Sequence, residues 1–239
     1  KGVPFVFEEH LGRLRASAAQ IGLSLPVPLA QLRVEVSELV HEAGTIDAHV
    51  RILVTRGRGE LGVAPHNAHA PTRMIVVTPL GAVHRSWYTD GVRVATVRPP
   101  TLAGHGPLSG AKTLNYLANV VWTQQARALG FDEALVVAHG DIVVEAATAN
   151  IFVVSGRDVL TPSLDAGALP GVTRAMVLGC AAAAGVRARE ARVTLADVWT
   201  ADEVFLTSSV REVVPVACVD EHEVGEGRPG EVTRAIHRA

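Results

Sequence analysis

Residues 108–117 read LSGAKTLNYL, and Lys112 within this stretch is the only lysine of the chain apart from Lys1. A lysine in a chain that otherwise uses arginine indicates a position that needs a primary amine. An ε-amine can lose its proton and attack a carbonyl, whereas a guanidinium stays protonated. The alternative is that Lys112 is a solvent-exposed residue at a helix end without a special role. Lys112 alone does not decide between these two interpretations.

The sequence after Lys112 predicts a helix. Leu114, Leu117 and Val121 recur at helical spacing, and Gly130 is expected just past the helix end. Lys112 is therefore expected at the entry of this helix.

A second segment, GDIVVEAATANIFVV at 140–154, predicts a turn around Gly140 with strands on both sides. Glu145 is the lone carboxylate in the run from Ile142 to Val154. A charge so placed must be paired or hydrogen-bonded if it is buried.

These segments, together with ALPGVTR at 168–174 and TSSVREVVPV at 207–216, resemble those of class IV aminotransferases in kind and order. That family contains pyridoxal-phosphate enzymes of fold type IV, among them branched-chain and D-amino-acid aminotransferases and 4-amino-4-deoxychorismate lyase. The resemblance extends from PFVFEEHLGRL at 4–14 to PGEVTR at 229–234. It implies an α+β fold of two domains, pyridoxal 5′-phosphate as cofactor, and a homodimer.

The resemblance also implies roles for single residues. Lys112 would hold the cofactor as an imine and move a proton, and Glu145 would keep the pyridine nitrogen protonated. The Tyr116 hydroxyl would lie near the phenolic oxygen of the cofactor. Arg51 and Ser209 would contact the phosphate.

The segment Leu169–Arg174 precedes a predicted helix, so its N–H groups and the Thr173 hydroxyl can bind an anion. Such turns also occur in proteins that bind nothing, and it is the resemblance that favours a phosphate site. Cofactor contacts are expected from Gly171, Val172, Thr173 and Ser208. Arg51 lies in the alternating strand HVRILV and faces either an anion or solvent.

Val210 and Arg211 occupy the turn where related enzymes offer backbone N–H groups to a substrate carboxylate. Branched-chain enzymes usually have two small residues there, so Arg211 is a departure, and a second cation could favour a dicarboxylate. The loop RGRGELGVAPHNAHAPTR after the Arg51 strand does not clearly match the Arg and His of D-amino-acid enzymes.

The predicted function is amino-group transfer from an amino donor to a 2-oxo acid. The alternative within the family is lyase chemistry on 4-amino-4-deoxychorismate, giving 4-aminobenzoate and pyruvate. A third hypothesis is a cofactor carrier or a catalytically silent relative, which the presence of both Lys112 and Glu145 opposes.

Composition narrows the class of protein. The chain has 239 residues, 48% of them apolar, and a formal net charge of −2, which argues against a nucleic-acid partner. We expect no membrane span and no signal peptide. We also expect no metal site, since His66 and His69 lie in a loop without a nearby carboxylate. Two cysteines outside any C-x-x-C pattern favour a cytoplasmic location.

The periodicity predicts helices over 5–22 and 28–43 and strands over 49–55, 74–77 and 92–97. We expect a small α/β domain over 1–98, a Pro/Gly-rich linker over 99–110 and a large cofactor-binding domain over 111–239. Later helices are expected over 173–185 and near 194–200, with a strand at 203–206. Because Lys1 directly precedes a family motif, residues upstream of it are expected to be missing.

Overall fold

A computed structural model describes residues 4–44, 47–99 and 108–239. By their internal contacts the residues form two compact units. The first unit comprises Lys1–Ala82 with Ala111–Leu114, and the second comprises Val83–Gly110 with Asn115–Ala239.

The described part of the first unit contains two helices, a two-stranded antiparallel sheet and a 3₁₀ turn over Pro65–Asn67. Its elements are α1 (Phe7–Gln20), α2 (Leu29–Ala43), β1 (Ala48–Gly59) and β2 (Ala68–Pro79). The two predicted helices are confirmed, and they bury Leu11 and Leu32. Both strands are longer than predicted, because the pairing continues past the apolar residues through an irregularity at Gly57 and Arg58.

The second unit is built on a nine-stranded mixed sheet in the order β5-β4-β3-β10-β9-β6-β7-β8, with β11 paired to β10. Its strands are β3 (Val92–Val97), β4 (Glu133–Ala138), β5 (Ile142–Ala146), β6 (Asn150–Ser155), β7 (Asp158–Pro162), β8 (Arg187–Ala191), β9 (Glu203–Ser208), β10 (Glu212–Val219) and β11 (His222–Glu223). The central strands are rich in buried valine, and the rings of Phe152 and Phe205 stack with their centroids 4.9 Å apart.

Five α-helices complete the described part of the second unit: α3 (Ser86–Thr89), α4 (Leu117–Ala128), α5 (Val172–Cys180), α6 (Leu195–Trp199) and α7 (Glu231–Arg238). Gly130 follows α4 with φ +83°, a value that favours glycine, so its predicted place past the helix end is confirmed. The predicted helix 173–185 continues past α5 as a 3₁₀ turn over Ala181–Ala184. The helix predicted near 194 is confirmed as α6, which begins with a capping box between Thr194 and Asp197.

The antiparallel hairpin of β4 and β5 confirms the turn predicted around Gly140, and it places Glu145 opposite Val136. Strand β3 pairs with β4 and β10 of the large sheet, so the division into units falls after Ala82. The domain boundary predicted at residue 98 stays a prediction, and most of the predicted linker, residues 100–107, lies outside the described residues. Within the described ranges, no helix is long and apolar enough to cross a bilayer.

Candidate active site

The carboxylate of Glu145 is anchored at the end of β5. Its Oε2 accepts hydrogen bonds from Asn150 Nδ2 and from the backbone N–H of Leu169, both at 3.0 Å. Glu145 is half-buried, and its carboxylate has the hydrogen bonds that a buried charge in this apolar run would need. Leu169 lies just ahead of α5, so the bond ties Glu145 to the approach of that helix.

Asn150 is a residue of this region to which the sequence analysis gave no role. It is buried at the start of β6, and its Nδ2 also donates to the Leu169 carbonyl at 2.9 Å. Its register partner in β9 is Thr207. The signal was present in the sequence, because an amide in the run NIFVV must find partners once it is buried.

The N-terminus of α5 is shaped by close packing against Asn150. A Cβ at Gly171 would lie 2.0 Å from Asn150 Oδ1, so a larger residue fits there only if the Asn150 side chain moves. Val172 and Thr173 begin the helix, and the first N–H groups of a helix have no intrahelical acceptor. Within the described structure α5 has neither a side-chain cap nor an acidic residue in its first turn.

A comparison with α7 shows what the start of α5 lacks. At α7, the carboxylate of Glu203 accepts from the N–H groups of Val232 at 2.9 Å and Thr233 at 2.7 Å. The sequence before both helices contains Pro-Gly, at 170–171 and 229–230. The helix start after the Pro-Gly step at 229–230 thus binds a carboxylate of the protein itself. The helix start after the Pro-Gly step at 170–171 is where an anion from outside could bind.

Three buried threonine hydroxyls have no hydrogen-bond partner among the described residues: those of Thr173, Thr207 and Thr233. Thr173 lies at the open start of α5, and Thr207 lies opposite Asn150 and directly before Ser208. A buried hydroxyl without a partner loses its hydrogen bonds to water and gains none in return. Thr173 and Thr207 therefore supply unused polar groups to the region around Glu145.

The turn between β9 and β10 contains Ser209, Val210 and Arg211, and the pairing of Ser208 with Glu212 closes it. Glu212 has φ +54°, a left-handed conformation that non-glycine residues rarely adopt. The Tyr88 hydroxyl donates to the Arg211 carbonyl at 3.0 Å, which fixes the main chain of the turn from outside it.

The side chain of Arg211 is directed into the protein. Its Nη1 donates to Glu133 Oε2 at 3.1 Å, and its Nη2 donates to Thr148 Oγ1 at 2.6 Å. The side chain of Glu133 is only 3% exposed and that of Arg211 is 16% exposed, so the ion pair is largely buried. Glu133 and Thr148 were missed in the sequence, because nothing local indicates a partner 78 or 63 positions away.

Tyr116 lies directly before α4, and the residue is 41% exposed. The same end of α4 is joined to the β5–β6 turn, since Asn119 Nδ2 donates to the Ala147 carbonyl at 2.6 Å. Tyr116 thus precedes a helix that is hydrogen-bonded to Ala147, two residues after Glu145.

Lys112 belongs to the first unit, where its backbone N–H donates to Ser17 Oγ of α1 at 3.0 Å. The helix α4 begins only at Leu117, later than predicted, so Lys112 lies in the preceding loop. Burial lowers the pKa of the His10 imidazole, the positive charge of Arg13 lowers it further, Glu9 opposes the shift, and Lys112 adds a smaller lowering effect. Arg13 and Lys112 thus both act on one imidazole of α1.

Arg51 also belongs to the first unit. Arg51 lies on β1 opposite Val76 and is exposed to solvent. Burial lowers the pKa of the neighbouring His49, and the charge of Arg51 adds to the effect. Arg13, which is only partly exposed, is a second arginine of this unit that the sequence analysis did not consider.

The second unit brings several predicted site residues together through bonds and strand register. These are Glu145, Gly171, Val172, Thr173, Ser208, Ser209, Val210 and Arg211, joined by Asn150, Leu169 and Thr148. Lys112 and Arg51 lie in the first unit. Among the described residues, no group of three His, Cys, Asp or Glu side chains could hold a metal ion.

Comparison with known proteins identifies the class of this chain. The sequence model of the family "Amino-transferase class IV" matches residues 1–219. The branched-chain-amino-acid aminotransferase of Salmonella typhimurium is 30% identical over 246 residues, covering 99% of this chain and 77% of the relative. The D-alanine aminotransferase of Bacillus licheniformis is 30% identical over 238 residues, covering 100% and 82%.

A solved structure agrees with the sequence comparisons. A branched-chain amino acid aminotransferase from T.th., determined with pyridoxamine 5′-phosphate, superposes with a TM-score of 0.89 at 28% identity over 97% of this chain and 76% of that chain. The chain belongs to the class IV aminotransferase family, and it has the fold type IV architecture that the sequence predicted.

Proposed function

We propose that this protein is a pyridoxal-phosphate-dependent transaminase, which moves an amino group from an amino acid to a 2-oxo acid. The observation that carries the proposal is the group of Glu145, Asn150 and the open start of α5. There a fixed carboxylate is hydrogen-bonded to the chain just ahead of a helix that can bind an anion. Relatives named as aminotransferases support the reaction class.

The residues present fit pyridoxal 5′-phosphate. Thr173 has a buried hydroxyl without a partner among the described residues, and it belongs to a first helical turn whose N–H groups suit a phosphate. Ser208, Ser209, Gly171 and Val172 complete the proposed phosphate and ring contacts. When bound, the cofactor supplies a protonated ring that accepts electron density from the substrate Cα.

Lys112 is proposed as the catalytic residue. Its ε-amine would hold the cofactor covalently and, when free, would serve as the general base that takes the proton from the substrate Cα. Glu145 would supply the negative charge that keeps the ring nitrogen protonated, and Asn150 and Leu169 hold its carboxylate in place by hydrogen bonds. Tyr116 is proposed to donate to the phenolic oxygen, and the N–H groups of Val210 and Arg211 to bind the substrate carboxylate.

An arginine of the first unit is proposed to complete the phosphate contacts, and the chain offers Arg13 and Arg51. We expect Arg13→Ala to weaken pyridoxal-phosphate binding by about 2 kcal/mol, the scale of a lost charge-assisted contact. The physical reason is that Arg13 lies one turn of α1 before Ser17, whose Oγ accepts from the Lys112 N–H at 3.0 Å, so an anion bound by Lys112 would also attract Arg13.

The matched variant is Arg51→Ala, which removes an exposed arginine from the same unit. The measurement is the cofactor dissociation constant, from titration of the visible absorbance. A loss of about 2 kcal/mol confined to Arg51→Ala would assign the phosphate contact to Arg51, as the sequence analysis predicted, and would contradict the role of Arg13.

Transfer of the amino group has a direct test with a donor alone. A transaminase must retain the amino group after meeting an amino acid without an acceptor. Mixing the cofactor-loaded protein with single L- and D-amino acids should therefore release about one 2-oxo acid per active site and bleach the visible absorbance. Addition of a 2-oxo acid should restore the absorbance.

The lyase alternative predicts a different outcome in the same assay. A lyase regenerates its starting state in every turnover and needs no acceptor. Catalytic release of 4-aminobenzoate and pyruvate from 4-amino-4-deoxychorismate, with no burst from any amino acid, would replace the proposed transaminase by the lyase.

We also propose a homodimer in the cytoplasm. Helix α4 offers an apolar surface for self-association, because Leu117, Val120 and Val121 recur on one helical face and are 77%, 58% and 40% exposed.

A further inference from the structure

We propose that Arg211 is a positioning residue: with Glu133 and Thr148 it fixes the β9–β10 turn to the β5–β6 turn, and its guanidinium is not a ligand of the substrate carboxylate. The part that concerns substrate rests on the proposed function. The part that concerns positioning stands on the contacts within the second unit.

The guanidinium of Arg211 is engaged at each of its three nitrogens. Nη1 donates to Glu133 Oε2 at 3.1 Å, Nε donates to Ser208 Oγ at 3.3 Å, and Nη2 donates to both Oγ1 and the carbonyl of Thr148, at 2.6 and 3.3 Å. The guanidinium carbon, Cζ, lies 5.7 Å from the centre of the Trp87 ring. These partners come from four separate segments of the second unit, so the side chain joins them.

Glu133 makes the position of Arg211 hard to change. Its side chain is 3% exposed, and its Oε2 also accepts from the Thr148 hydroxyl, while Oε1 accepts from the Ala134 N–H at 3.1 Å. Moving the guanidinium to a substrate carboxylate would leave this carboxylate buried without its cation, which is strongly unfavourable. The charge of Arg211 is therefore already compensated inside the protein.

Thr148 connects the pair to the proposed cofactor contacts. Its hydroxyl donates its proton to Glu133 and accepts from Arg211, so one hydroxyl bridges the two members of the ion pair. Thr148 lies in the turn between β5, which ends just past Glu145, and β6, which begins at Asn150. Arg211 thus holds the turn proposed to bind the substrate carboxylate in register with the strand that carries Glu145.

This arrangement changes what Arg211 predicts about the substrate. A guanidinium with an unpaired charge in the site would favour an amino donor with a second carboxylate. A guanidinium whose charge is paired with Glu133 only positions the turn, so its loss should affect every amino donor equally. Loss of Arg211 should then lower turnover through misplacement of the turn, and misplacement by about 1 Å can cost on the order of 10² in rate.

The test is a double-mutant cycle of Arg211→Met, Glu133→Gln and the two together, with Arg228→Met as the matched control. Arg228 pairs with Glu226 in the same unit, but both side chains are largely exposed, at 72% and 76%. We expect each single variant of the buried pair to lower Tm by roughly 10 °C, and the double variant to lower it by clearly less than the sum. The control should shift Tm little.

Kinetics with leucine and glutamate as donors separate positioning from substrate binding. We expect Arg211→Met and Glu133→Gln to lower kcat at least about tenfold for both donors, with the ratio of their kcat/KM values nearly unchanged. A rise of KM confined to glutamate in Arg211→Met, with Glu133→Gln near wild type, would overturn the inference.

Arg211→Lys keeps the experiment decisive if the methionine variant does not fold. One ammonium cannot make the forked set of bonds that the guanidinium makes, so we expect the same loss of kcat as for the other variants. Full recovery by lysine, or additive Tm shifts in the cycle, would contradict the proposal. The unfolding cycle needs no substrate, so it decides the inference even if no donor yields a 2-oxo acid and the proposed function fails.

Discussion

Lys112→Arg should abolish turnover while leaving the protein folded. The substitution keeps the positive charge but removes the primary amine, and a guanidinium can neither bind the cofactor covalently nor take a proton from the substrate Cα. We expect the loss to exceed about 10³-fold in kcat, the upper part of the range for general acid–base catalysis together with the loss of covalent attachment. Single-turnover assays with an amino donor provide the measurement.

Lys112→Ala is the companion variant, since it removes both the amine and the charge. Both variants should lose the visible absorbance of the imine-bound cofactor, and both can keep the bond from the backbone N–H of residue 112 to Ser17 Oγ. Substantial turnover by Lys112→Arg would show that the amine is not the catalytic group.

Glu145→Gln should retain the cofactor but lose turnover by on the order of 10² or more, because the ring nitrogen would no longer be held protonated. The substitution is well matched to the local structure. The amide oxygen of a glutamine can accept from Asn150 and from the Leu169 N–H as the carboxylate does, so the change removes the charge while these two hydrogen bonds can be kept.

Glu226→Gln, a change at an exposed carboxylate of the same unit, serves as the control and should leave kcat unchanged. The measurements are kcat and the cofactor dissociation constant for each variant. Near wild-type turnover by Glu145→Gln would assign Glu145 a purely structural role in anchoring the approach to α5.

The sequence was sufficient for the parts of the site that depend on local pattern. Glu145 stands out because its neighbours are apolar, and the turn at Gly140 marks the β4–β5 hairpin. The Pro-Gly step at 170–171 predicts the start of α5. In each case the physical signal lies within a few residues of the feature that it predicts.

The remaining contacts arise from tertiary packing. Glu133 looks like the first residue of an ordinary strand, and only the fold brings Arg211 to it from 78 positions away. The sequence shows that an arginine at position 211 is unusual for this turn, but it does not show that the side chain is directed into the protein. The same holds for β3, whose alternating pattern is clear while its membership of the large sheet depends on pairing with β4 and β10.

The start of α4 shows the limit of helical periodicity. The apolar spacing from Leu114 onward suggested a helix that begins near Lys112, yet α4 begins at Leu117. The loop before it belongs in part to the first unit, where Lys112 is bonded to α1 through Ser17. Tertiary attachment of this loop therefore takes precedence over local spacing.

The most direct test of the central claim is reduction of the cofactor-loaded protein with borohydride, followed by proteolysis and mass spectrometry of the peptides. The chain has one lysine other than Lys1, so the outcome is unambiguous. The account predicts a reduced phosphopyridoxyl group on Lys112 at close to one per chain, with the visible absorbance lost on reduction. A group found on Lys1, or no covalent cofactor after saturation with pyridoxal phosphate, would contradict it.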